Sequence, residues 1–88
     1  MSRRLKVAVI GTGGISRWHM PGWEASEHAE VVAGSDVNRK TLEDWGKTFG
    51  VTHLVDDWTD LLRDPEIDIV DICTPNMLHA QQAIAALD

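Results

Sequence analysis

Gly11-Thr12-Gly13-Gly14-Ile15-Ser16 follows directly on a short β-branched run, and Asp36 stands 25 positions after Gly11, at the close of a second such run. Residues of these types at this spacing suit a dinucleotide. A glycine turn between strand and helix lets the backbone bend tightly at Gly11 and approach a pyrophosphate at Gly13 with no Cβ in the way. The free N–H groups of the helix start, together with its macrodipole, then favour an anion. Ser16 occupies the position where a third glycine or alanine normally lets helix and strand pack closely. A carboxylate about 20 residues further on, at the end of the second strand, can accept ribose hydroxyls and repel a 2′-phosphate. Each feature also has a plainer use: the glycines serve tight packing, and aspartate at such a place is a common helix cap. Arg39 and Lys40 could meet a 2′-phosphate or simply be solvated. The balance favours NAD, with NADP as the alternative.

A second group of candidates lies near the end of the chain, in Cys73-Thr74-Pro75-Asn76 and His79. It follows a fourth apolar run, at the carboxyl edge where open α/β sheets bind ligands. Pro75 fixes a turn, Asn76 can cap a helix or face a ligand, and the spacing of His79 alone assigns it no role. Cys73 reads as a small buried hydrophobe, since no activating partner is evident. His19, His28 and His53 form no His-x-x-x-His pair or metal-ligand cluster in the sequence, so no metal is assigned.

These residues need elements to hold them. Leu5 to Ile10, Glu30 to Ser35, Val51 to Val55 and Ile67 to Ile72 read as strands. Between them, Gly14 to Ala25 reads as a helix with Ile15, Trp18 and Trp23 near a helical period. Pro21 within it should kink or shorten the helix. A second helix carries Leu42, Trp45 and Phe49 on one face, capped by Asp36 or Asn38 and ended by Gly50. A helical turn from Asp57 holds Trp58, Leu61 and Leu62, and Met77 to Leu87 reads as an alanine-rich last helix. Asp68 and Asp71 are awkward in a covered strand, so at least one should lie near a strand end. The four tryptophans all fall on these helices and are expected to thicken a small core. Strands alternating with helices imply crossover connections and a parallel sheet.

Composition excludes other classes. Eighty-eight residues suit one domain, of which about 60–70% of the unfolded surface is buried on folding. The net charge of -6 does not suit nucleic acid or an anionic membrane. One cysteine excludes an internal disulfide framework. No apolar run approaches the roughly 20 residues of a membrane span, and Val7 to Ile10 is too short for a signal peptide. A soluble, cytoplasmic domain is expected.

The run Val7-Ala8-Val9-Ile10-Gly11-Thr12-Gly13-Gly14-Ile15-Ser16, then His19, Asp36 and Thr74-Pro75-Asn76-Met77-Leu78-His79, resembles the amino-terminal part of the Gfo/Idh/MocA family of glucose–fructose oxidoreductases and inositol 2-dehydrogenases. Its Thr-Pro-Asn-x-x-His block is more specific than the glycine turn. The resemblance implies an α/β fold: the first half of a Rossmann fold, a mainly parallel four-stranded sheet of order 3-2-1-4 with helices on both faces. It also implies hydride transfer between a nicotinamide dinucleotide and a sugar, polyol or related alcohol. Gly11, Gly13, Gly14 and Ile15 would line the pyrophosphate, Asp36 the adenosine ribose, and Thr74, Pro75, Asn76 and His79 the nicotinamide-side ribose. The family's Glu-Lys-Pro, whose lysine is catalytic, follows the helix that here reaches Leu87-Asp88, so no catalytic residue is assigned. Residues 1–88 are expected to be a truncated cofactor-binding domain, inactive alone, without the substrate domain and with a homo-oligomer possible in the parent. The alternative is a non-catalytic nucleotide-binding or self-associating Rossmann module.

Overall fold

A computed structural model of the chain describes residues 4–74. The last helix expected from Met77 to Leu87, with Pro75, Asn76 and His79, lies outside the described residues. The elements run β1 (Leu5–Ile10), α1 (Gly14–Ala25), β2 (Ala29–Ser35), α2 (Arg39–Phe49), β3 (His53–Val55), α3 (Thr59–Leu62) and β4 (Ile69–Ile72). The strands form one sheet of order β3-β2-β1-β4, and every pairing is parallel. The expected strand order and α/β class are therefore those of the structure.

The apolar runs of β1 are covered on both faces, as parallel strands are. Val9 packs on one side with Met20 of α1, Leu42 and Trp45 of α2, Val51 and Cys73. Ala8 and Ile10 pack on the other with Ala33 and Leu61 of α3. Trp45 reaches so close to β2 that a Cβ on Gly34 would overlap its indole. The closeness of α2 to the sheet therefore depends on that glycine.

Local signals account for most boundaries. Asn38, not Asp36, caps α2: its side chain accepts the Thr41 N–H at 3.1 Å. Gly50 ends α2 with a left-handed φ of 70°, and the Val51 N–H returns to the Gly46 carbonyl at 2.9 Å. That return bond draws Val51 toward the helix, so β3 begins only at His53. Asp68 lies just before β4 and accepts the Lys6 N–H at 2.8 Å, while Asp71 lies inside the strand.

Three expectations for α1 are corrected. It runs through Pro21 without a break, because Met20 and Trp23 on either side are both packed on the sheet. Pro21 is exposed, where the missing N–H costs least. The sheet-facing side is Ser16, Met20 and Trp23 rather than Ile15 and Trp18. Trp18 is 85% exposed and thickens no core; Trp45 does that work, with Trp23 and Trp58 partly buried.

Candidate cofactor site

Each parallel strand ends at the same edge of the sheet, and the chain reverses its direction of winding between β1 and β4 there. A cavity of about 600 Å³ opens at that edge. Ile10 and Gly11 at the end of β1, Ser35 and Asp36 at the end of β2, Asp56 after β3, and Cys73 and Thr74 after β4 all line it.

Gly11 adopts φ 90°, and a Cβ there would stand 2.8 Å from Thr74 Cγ2 and 3.0 Å from the Cys73 carbonyl carbon. The turn thus needs glycine both for its backbone and for its neighbour. Its N–H donates to the Ser35 carbonyl at 2.8 Å, and the Cys73 N–H donates to the Ile10 carbonyl at 2.8 Å, which stitches three strand ends together. Gly13 and Gly14 are different: among the described residues a Cβ at either would meet nothing within 4 Å, and both line the cavity. Gly13 is the N-cap of α1, and among the described residues no side chain caps that turn. The helix start therefore turns uncapped N–H groups toward the cavity, an arrangement suited to a phosphate. Ser16, fully buried, satisfies its hydroxyl by donating to the Gly13 carbonyl at 2.6 Å. Serine in place of the third glycine or alanine is thereby accommodated.

Asp36 is tied to the glycine turn. Its Oδ2 accepts both the Thr12 N–H at 2.9 Å and the Thr12 hydroxyl at 3.1 Å, and its Oδ1 accepts the Asn38 N–H at 2.8 Å. A carboxylate offers about four acceptor positions, so Asp36, which lines the cavity, keeps spare acceptor capacity.

Residues 5–88 match the oxidoreductase family with an NAD-binding Rossmann fold. The chain belongs to this family. It is 35% identical over 92 aligned positions to D-apiose dehydrogenase of Paraburkholderia graminis, covering 97% of this chain and 24% of that enzyme. Its fold is similar to myo-inositol dehydrogenase from Lactobacillus casei, crystallised with NAD(H) and myo-inositol: TM-score 0.90, 34% identity, 98% of this chain and 26% of that one. It is also similar to biliverdin reductase from Synechocystis in complex with biliverdin and NADP+, with TM-score 0.86 and 31% identity over 94% of this chain and 26% of that one. The chain thus spans about a quarter of the length of these oxidoreductases.

Within this oxidoreductase-family segment the structure brings Gly11, Gly13, Gly14, Ile15, Asp36 and Thr74 to one cavity. Arg39 is not in its lining. Its Nε donates to Glu43 at 3.1 Å and its Nη1 to Asp56 at 3.0 Å, and those two hydrogen bonds hold the guanidinium above its ordinary pKa. Sequence reasoning missed Thr12, Val37, Asp56 and Trp58; the last three line the cavity because the β2 and β3 ends converge.

Sequence reading also missed a second cluster, on the α1 side of β4. His19 Nδ1 lies 3.0 and 2.8 Å from the two Asp71 oxygens, Trp23 Nε1–H donates to Asp71 Oδ2 at 2.9 Å, and Cys73 Sγ lies 3.3 Å from His19 Nδ1. The expectation of no ligand cluster is corrected for His19 alone of the three histidines: its partners come from a different element, which no local spacing reveals. Burial and the neighbouring Asp71 carboxylate push the Cys73 thiol up to about 12. The reading of Cys73 as a buried residue holds. No described helix is long and apolar enough to cross a membrane.

Proposed function

We propose that this segment binds the pyrophosphate and adenosine ribose of a nicotinamide dinucleotide for an oxidoreductase acting on a sugar, polyol or related alcohol. The carrying observation is the open cavity over Gly13 at the uncapped start of α1, with Asp36 on its rim. In this reading the backbone N–H groups at Gly14 and Ile15 hold the pyrophosphate, Asp36 Oδ1 accepts a ribose hydroxyl, and Thr74 with Pro75, Asn76 and His79 borders the nicotinamide side. The bound nicotinamide supplies the hydride acceptor or donor, and the protein supplies its position. The sugar or polyol class is supported by the relatives acting on D-apiose and binding myo-inositol.

NAD is the preferred cofactor in this reading. The Asp36 carboxylate opposes a 2′-phosphate, and Arg39, the nearest candidate to offset it, is already paired with Glu43 and Asp56. The net charge of -6 and the single free thiol fit a cytoplasmic protein with no nucleic-acid partner. The test is the ratio of kcat/KM for NAD and NADP in the full-length protein that carries this segment. Asp36→Ser should weaken NAD and improve NADP. An unchanged ratio would confine Asp36 to its bonds with Thr12 and Asn38.

A further inference from the structure

Asp71 and Cys73 are two positions apart and share the face of β4 that meets α1, where His19 crosses them from its second turn. The three ligand atoms form a closed triangle: Nδ1 to Oδ1 3.0 Å, Sγ to Nδ1 3.3 Å and Sγ to Oδ1 3.6 Å. At most two hydrogens serve the three edges, so one hydrogen must be shared between two of them. Nδ1 carries either one hydrogen or one lone pair, and the thiol carries one hydrogen. If both hydrogens point to Asp71, the sulfur–nitrogen edge is left with only a share of the Nδ1 hydrogen.

A cation fits that triangle. From the three separations, the point equidistant from the ligand atoms lies roughly 1.9 Å from each, so an ion slightly out of plane reaches the about 2.0–2.3 Å of zinc–nitrogen, zinc–oxygen and zinc–sulfur bonds. Trp23 Nε1–H holds the other carboxylate oxygen, Oδ2, which leaves Oδ1 aimed at the centre. An outer hydrogen bond of this kind is what orients a metal-binding carboxylate. The fourth position faces a shallow hollow lined by Trp18, Gly22, Trp23 and Ser26, open to water. His19 is partly exposed, so an ion has a route in.

We propose that His19 Nδ1, Asp71 Oδ1 and Cys73 Sγ form a binding site for a thiophilic divalent cation of the zinc class, which clamps α1 to β4. Binding displaces the thiol proton and closes a cross-link between elements 52 residues apart in sequence. Of the three ligands Cys73 alone also lines the cofactor cavity, and the cation site does not depend on the proposed dinucleotide.

Cobalt(II) is the probe. Titrated into the metal-free chain, it should give a thiolate-to-cobalt charge-transfer band in the near ultraviolet that saturates at one equivalent and is bleached by zinc. Cys73→Ser and His19→Ala should each lose the band, and His53→Ala, a change at the exposed first residue of β3, should keep it. Zinc should raise the melting temperature of the wild-type chain but not of His19→Ala. Absence of a saturable band in the wild-type chain overturns the proposal whatever the variants do, and so does a band retained by Cys73→Ser or by a folded His19→Ala.

Discussion

Thr12 donates both its backbone N–H and its hydroxyl to a single oxygen of Asp36, at 2.9 and 3.1 Å, across 24 residues of chain. Thr12 is completely buried, so the carboxylate that closes β2 also fixes the shape of the glycine turn after β1. The residue proposed to read the ribose thus also shapes the glycine turn proposed to hold the pyrophosphate.

Thr12→Val should show this. It keeps the N–H and the volume but removes the hydroxyl donor. A hydrogen bond to a charged group contributes about 1.5–3 kcal/mol. Urea denaturation should give a loss approaching that size, with Thr12→Ser close to wild type. A midpoint unmoved in Thr12→Val would show that the N–H bond alone sets the turn.

Gly13→Val separates binding from folding. The new side chain enters open space, and the φ of −79° at Gly13 suits any residue. Stability should change by no more than about 1 kcal/mol, the scale of an N-cap substitution. Dinucleotide binding, followed by titration calorimetry, should be abolished. Binding that survives would remove Gly13 from the pyrophosphate path.

Gly34→Ala should do the reverse, because its methyl group would be driven into the Trp45 indole. Overpacking of this kind costs about 1–3 kcal/mol. Trp45 Nε1 is buried with no hydrogen-bond partner among the described residues, so Trp45→Phe removes an unsatisfied donor while making room. The double variant should therefore be more stable than the sum of the two single changes predicts, as a thermal-melt double-mutant cycle would measure. Simple additivity would show that the indole does not touch position 34 in solution.

Cys73 predicts a pH dependence in the metal-free chain. Its ordinary value is 9.0 and the folded value about 12, so the folded state binds its proton more tightly. The stabilising contribution is whole below pH 9 and is lost as pH rises from about 9 toward 12. Cys73→Ala should flatten the alkaline part of the stability curve, and alkylation of native Cys73 should be slow at pH 8 beside a free thiol. Rapid alkylation there would contradict the burial.

The strands, their order and the glycine turn were legible because each rests on a local signal. The β-branched run of Val7 to Ile10 halted by Gly11, and Gly50 after Phe49, need no distant partner to be read. Features set by distant contacts were not legible. Asp71 looked awkward in a covered strand because His19 and Trp23, which satisfy it, lie 52 and 48 residues away. The inward side of α1 was misread for a similar reason. Ser16 is polar in a pattern search, yet its hydroxyl is silenced by the Gly13 carbonyl, and it packs inward while Trp18 points out. Arg39 was legible as a cation, but Asp56, which holds it, is set beside it only by the pairing of β3 with β2.

The grip of Asp71 on α1 bears on the other end of that helix. His19 sits five residues from Gly14, about 7.5 Å along the axis at 1.5 Å per residue. The helix is therefore a short rigid pointer, held near its middle by His19 and Trp23 and aimed at its tip into the cavity. Where those two side chains hold Asp71 sets the heading of the first turn, so the aim of the N–H groups proposed to meet the pyrophosphate is decided by a carboxylate outside the cavity lining.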